Sequence, residues 1–155
     1  MNYKISEYET RFFIGVEYEG GVKNGVNPKI SELWNVFLNE DLKLLISVPN
    51  FEKFIGLECY PPDFKETKNY DYYALLETKE LVKKDGFVSK KLPKGKYIEF
   101  EVQFDDLHNE IHRVYKYVKD NALNIHYGFD YEDYIKGQDY YVEKAILNFV
   151  LKLEE

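Results

Sequence analysis

The stretch "KYIEFEVQFDDLHNEIHRVYKYV" (Lys96–Val118) changes period halfway along, and that change sets the reading of the whole chain. Ile98, Phe100 and Val102 alternate with Glu99, Glu101 and Gln103, the period-2 pattern of a half-buried strand. Leu107, Ile111, Val114, Tyr115 and Val118 then recur at helical spacing, with Asp105 or Asp106 placed to cap the helix start. Two further strands are expected, "GFDYEDYI" (128–135) and "YYVEKAILNFVLKL" (140–153), around a glycine turn.

The same order stands earlier in the chain. Phe12, Ile14, Val16 and Tyr18 alternate with Gly15, Glu17 and Glu19. After "GGVKNG", Asn27-Pro28 offers a cap and a first helical residue. Ile30, Leu33, Trp34, Phe37 and Leu38 follow as one helical face. "FIGLECY" (54–60) and "YDYYALLETKEL" (70–81) complete the unit as strands around Pro61-Pro62. The expected fold is α+β: one domain over 1–155, built from two pseudo-symmetric βαββ halves (about 1–83 and about 96–155). A linker at about 84–95 joins them. Antiparallel sheets would carry helices on one side and enclose a central groove, a favoured place for small ligands.

Composition narrows the function. The net charge of −7, from 28 acidic against 21 basic residues, lacks the cationic footprint a nucleic-acid surface needs. No apolar run approaches a membrane span, and "MNYKISEYETRFF" lacks the pattern of a signal peptide. Cys59 is the single cysteine, so no intramolecular disulfide forms, and a cytoplasmic location is expected. Beside Ile55 and Leu57, Cys59 reads as a small buried hydrophobe. His108 and His112 lie at i, i+4 but lack a third ligand nearby and read as surface histidines. No P-loop, GxGxxG or GxSxG motif is present, and no cofactor is expected.

"FDYEDYI" (129–135) is the segment that carries chemistry. As a strand it sets Asp130, Glu132 and Tyr134 on one face, and Phe129, Tyr131, Asp133 and Ile135 on the other. Periodicity leaves several readings of Glu132 open: a solvated strand residue, a countercharge for a lipophilic cation, or a general base with a raised pKa. Trp34, Phe37 and Tyr115 read first as core, and Tyr72 and Tyr73 point to opposite faces of one strand.

In order along the chain, "FFIGVEYEG", "ISELWNVF", "YDYYALLETKEL", "KLPKGKYIEFEV" and "FDYEDY" resemble the GyrI-like small-molecule-binding domain, also called the bacterial transcription-activator effector-binding domain. The resemblance spans nearly the whole chain and implies an SHS2-like pair of βαββ halves around a ligand groove. It implies multidrug-type binding of hydrophobic, possibly cationic, small molecules, with Glu132 as charge partner and Tyr134 as its strand neighbour. Trp34, Phe37, Tyr73 and Tyr115 would be wall residues, and Glu143 and Phe149 on the last strand weaker ones. Leu75 and Ile98, where the family often has small residues, imply a narrower or differently shaped pocket. Family regulators carry a helix-turn-helix as well. The two halves take up these 155 residues, so a stand-alone module that makes no direct nucleic-acid contact is expected. The resemblance also implies two alternatives. One is hydrolysis of reactive small molecules by Glu132 with Tyr134 or Tyr73. The other is a protein-interaction or gyrase-modulating role.

Overall fold

The computed structural model describes residues 1–26, 29–137, 140 and 145–154. Its elements run β1 (Tyr3–Tyr8), β2 (Arg11–Glu17), α1 (Ile30–Asn39), β3 (Asn50–Cys59), α2 (Phe64–Thr67), β4 (Asp71–Thr78), β5 (Val88–Leu92), β6 (Gly95–Gln103), α3 (Leu107–Asp120), β7 (Ile125–Tyr134) and β8 (Ile146–Leu153). One-turn 3-10 helices follow α1 and precede α3. The change of period at Gln103 is therefore a real boundary, where β6 ends and α3 follows within four residues.

The strands form a mostly antiparallel sheet in the order β1-β6-β8-β7-β3-β4-β2-β5. The units β2-α1-β3-β4 and β6-α3-β7-β8 occupy it as mirrored strand orders, and β3 and β7 meet at the centre. Their register sets Gly56 opposite Glu132 and Glu58 opposite Asp130. The βαββ reading of both halves is thus correct at the level of fold.

Two strands escape the periodicity. β1 precedes β2 but pairs with β6, and β5 precedes β6 but pairs with β2. β5 lies within the stretch 84–95. These crossed pairings bend the sheet. In a flat sheet β1 and β2, six strand spacings apart, would be about 29 Å from each other. The chain from Tyr8 to Arg11 spans at most about 11 Å. The sheet must curl until its two edges converge around Tyr8, Arg11, Leu92 and Gly95, although it does not close.

The curl divides the core. On the concave face Phe13, Ile55, Leu57, Tyr73, Leu75, Tyr97, Tyr131 and Val150 pack on one another with no helix over them among the described residues. On the convex face α1 covers Ile14, Ala74 and Leu76 through Phe37, Leu33 and Trp34. There α3 covers Ile98, Phe100, Leu147 and Phe149 through Val114 and Val118. Fully burying a side chain such as Phe37 contributes roughly 1.5–3 kcal/mol. Cys59 packs, half-buried, with the concave core, as its alternation with Ile55 and Leu57 predicts.

Some details differ from the sequence reading. Leu38 is 42% exposed, because its rotation along α1 takes it to the edge of the apolar stripe. The fourth strand stops at Thr78, short of Leu81, as Thr78 turns its hydroxyl to donate to the carbonyl of Glu80. The expected helix start at Asn27-Pro28 lies outside the described residues; α1 begins at Ile30 after Lys29. Among the described residues, no helix is long and apolar enough to cross a membrane. No cluster of three potential metal ligands occurs among them either, and the rings of His108 and His112 pack edge to face.

Candidate functional site

The convex face of the central strand pair lies between α1 and α3. Alternation along β3 and β7 directs Gly56, Glu58, Asp130, Glu132 and Tyr134 to it, and the cross-strand register brings the carboxylates together. All three are buried: Asp130 is 0% exposed, and Glu58 and Glu132 are each 6% exposed. The solvated reading of Glu132 is therefore excluded, because the helix packing that its own strand pattern could not show covers this face.

Phenols and an indole supply the cluster's donors, although the buried Asp130 Oδ1 has no hydrogen-bond partner among the described residues. Tyr72 Oη and Tyr134 Oη both donate to Glu132 Oε1 at 2.9 Å, and Trp34 Nε1 donates to Tyr72 Oη at 2.9 Å. On the other side of the pair Tyr60 Oη donates to Asp130 Oδ2 at 2.9 Å and lies 3.4 Å from Glu58 Oε2. Tyr115 donates to the same Asp130 oxygen from α3. The arrangement has an internal echo. Glu58 on β3 and Tyr60 just past its end repeat the spacing of Glu132 and Tyr134 on β7, while Trp34 of α1 and Tyr115 of α3 reach in from their respective helices.

Gly56 makes room for this. A Cβ at that position would lie 2.2 Å from Tyr72 Oη and 2.6 Å from Glu132 Oε1. The head groups therefore rest directly on the bare backbone of β3. The rings of Trp34 and Tyr134 meet edge to face at 5.1 Å, and the Phe37 and Phe54 rings stand behind Trp34 at 5.9 and 6.4 Å. At the other end Tyr60 packs on Phe64 of α2 and on Tyr70, at 4.7 and 5.5 Å.

The electrostatics follow from burial. Desolvation lifts the pKa of Glu58 well above the ordinary carboxylate range, and the neighbouring charges of Asp130 and Glu132 lift it further. Burial also raises Asp130 and Glu132, but there hydrogen bonds oppose it: from Glu58, Tyr115 and Tyr60 at Asp130, and from Tyr72, Tyr134 and Glu58 at Glu132. Glu58 has the fewest phenol donors of the three, so hydrogen bonding opposes the rise least there. The hydroxyls of Tyr60, Tyr72, Tyr115 and Tyr134 are pushed up, by burial first, and stay protonated as donors. The cluster is a buried group of three carboxyls ringed by aromatic faces.

Of the residues singled out from the sequence, Glu132, Tyr134, Trp34 and Tyr115 converge here. Phe149 sits opposite Glu132 on β8, with its ring 6.1 Å from that of Tyr115. Phe37 is fully buried behind Trp34. Tyr73 is the exception: it points into the concave core, away from Glu132, and its strand neighbour Tyr72 takes the place by the carboxylate. Glu143 lies outside the described residues. Sequence reasoning missed Glu58, Tyr60 and Tyr72. A usable signal existed, since Glu-x-Tyr occurs in both "LECY" and "YEDY", and a lone glutamate inside an apolar strand marks a buried charge with a purpose.

The comparisons with known proteins agree with this architecture. SAV2435, solved bound to tetraphenylphosphonium, superposes with a TM-score of 0.78 at 18% identity, over 99% of this chain and 94% of that one. An integron cassette protein from the mobile metagenome of Vibrio cholerae gives 0.65 at 20% identity, over 98% and 95%. The EcmrR C-terminal domain gives 0.72 at 13% identity, over 99% and 98%. At these identities the likeness shows the fold. No curated protein matches the chain by sequence. The family model of Cass2, the integron-associated effector binding protein, matches residues 4–146, so the chain belongs to that family of GyrI-like effector-binding domains.

Proposed function

We propose that the chain binds lipophilic organic cations on the sheet face between α1 and α3, with Glu132 as the countercharge. The carrying observation is the buried carboxylate itself, held by two phenols and walled by Trp34, Tyr134 and Phe149. A bare charge there is costly, and a cation with an apolar periphery offsets that cost by charge pairing and by contact with ring faces. Support comes from SAV2435, which shares the fold and was solved with such a cation. Because Glu132 is 6% exposed, entry requires Trp34 and Tyr134 to part.

Thermal shift with tetraphenylphosphonium tests the reading on wild type and Glu132→Gln. A ligand at about 100 times its Kd stabilises the fold by roughly 2.7 kcal/mol, a readable rise in midpoint. Trp34 is the only tryptophan, so its fluorescence reports occupancy of the same site. The expected result is a shift and a fluorescence change in wild type that both vanish in the mutant. A shift of equal size in both proteins would remove Glu132 from the site.

The same geometry favours a second reading. Tyr134 Oη lies 2.9 Å from Glu132, whose pKa is raised by burial, so the pair could serve as base and donor in hydrolysis of a reactive small molecule. Tyr73 takes no part in it, being on the other face. Turnover of a strained electrophile with a pH profile that Glu132→Gln abolishes would select this reading over simple binding.

A further inference from the structure

The concave face is apolar only along part of its length. Beyond the row formed by Tyr131 and Val150, the neighbouring row across β7, β8 and β6 reads Asp133, Asn148, Glu101. With Glu99 and the lysines Lys4, Lys53 and Lys136, the last paired with Glu52, these residues line a cavity of about 460 Å³, separated from the Glu132 cluster by the thickness of the sheet. Its volume is within the range of small-molecule sites.

The charges are graded by depth. Asp133 and Glu99 are 2% and 3% exposed, whereas Lys4 is exposed and the Lys53 side chain is 35% exposed. Glu99 accepts from Tyr8 Oη at 2.8 Å. Asp133 Oδ2 is 3.1 Å from Lys53 Nζ, while its buried Oδ1 has no hydrogen-bond partner among the described residues. A buried carboxylate oxygen without a donor is expensive, and a donor supplied by a ligand would offset that cost. Burial raises Asp133 and the Lys53 charge opposes the rise. Buried acids on the floor with lysines nearer solvent suit a compact, hydrophilic cation that brings its own N–H donors. Tyr3 and Tyr8 contribute two rings to the lining, whereas Asp133, Asn148, Glu99 and Glu101 present polar groups to it.

We propose that this cavity is a second binding site, for a small hydrophilic amine whose ammonium group sits between Asp133 and Glu99. Glu132 and Asp133, consecutive on β7, would then serve two sites on opposite faces of one sheet.

Titration of the intact chain with putrescine, followed by amide chemical shifts and by calorimetry, tests this. Saturable binding is expected, with shifts at Asp133, Asn148 and Glu99. Affinity should fall about tenfold or more in Glu99→Gln and in Asn148→Leu, which fills the cavity, and should change less than about twofold in Glu132→Gln. Circular dichroism melts check that each variant folds, and Asn148→Leu alone decides if Glu99→Gln does not. Absence of saturation up to about 10 mM putrescine overturns the proposal. So does equal binding by the cavity variants, which would mean diffuse attraction to an acidic surface. Loss in Glu132→Gln alone would place the amine on the convex face and also overturn it.

Discussion

Replacing Gly56 with alanine is the most direct perturbation of the carboxylate cluster, because a single methyl group acts on two of its members. The new Cβ would stand 2.2 Å from Tyr72 Oη and 2.6 Å from Glu132 Oε1. To reach ordinary contact the Tyr72 hydroxyl must retreat by about 1 Å, and Glu132 by slightly less. Neither can do so freely, since Tyr72 is 2% exposed and Glu132 6% exposed. Overpacking of this kind costs roughly 1–3 kcal/mol. Displacement also stretches the Trp34–Tyr72–Glu132 chain of hydrogen bonds, and a weakened bond to a charged group adds roughly 1–3 kcal/mol. Partial relaxation makes these losses overlap, so the expected destabilisation is about 2–4 kcal/mol, a large part of a typical domain's stability. Urea unfolding reads this as a midpoint lowered by about 1–2 M at unchanged slope. A midpoint within about 0.2 M of wild type would refute the reasoning, because it would mean the two head groups do not rest on the Gly56 backbone.

Two further outcomes follow from the same cluster. Glu58, Asp130 and Glu132 are all raised above the ordinary values of 4.5 and 3.8, so above that range the folded state holds protons that the unfolded chain has released. Their contribution to stability is complete below about pH 4 and falls as pH rises through the raised values. Glu58→Gln should flatten this decline and gain roughly 1 kcal/mol or more at pH 8 relative to pH 5, measured by urea unfolding at both; a steeper decline in the mutant would overturn the assignment. The two faces of β4 provide a control for the binding site: Tyr72→Phe leaves a buried carboxylate short of a donor and should weaken tetraphenylphosphonium binding by about 1–3 kcal/mol. Tyr73→Phe, on the concave side, should change binding less than about twofold, and calorimetric titration of both variants checks the contrast.

The elements that could be read from sequence are those whose pattern is local. The periodicity of Ile98, Phe100 and Val102, then of Leu107, Ile111 and Val114, reports which side of an element meets the core, and it placed β6 and α3 correctly. The same alternation set Asp130, Glu132 and Tyr134 on one face of β7. It could not say whether that face met water, because coverage depends on where α1 and α3 dock. Strands β1 and β5 were illegible for a related reason. They are short, rich in charged residues and paired across the molecule, with Tyr3 opposite Phe100 and Arg11 opposite Leu92, so nothing in their local pattern requires a partner.

The sequence by itself therefore determined the order of elements within each βαββ unit, the two-fold repetition and the alternating faces, since these follow from side-chain spacing along one strand or helix. The meeting of Glu58 with Asp130, the choice of Tyr72 over Tyr73 and the space that Gly56 leaves for Glu132 were decided only in the tertiary structure. Each depends on the register between strands from different halves, and a one-residue slip in that register would send every one of these side chains to the other face.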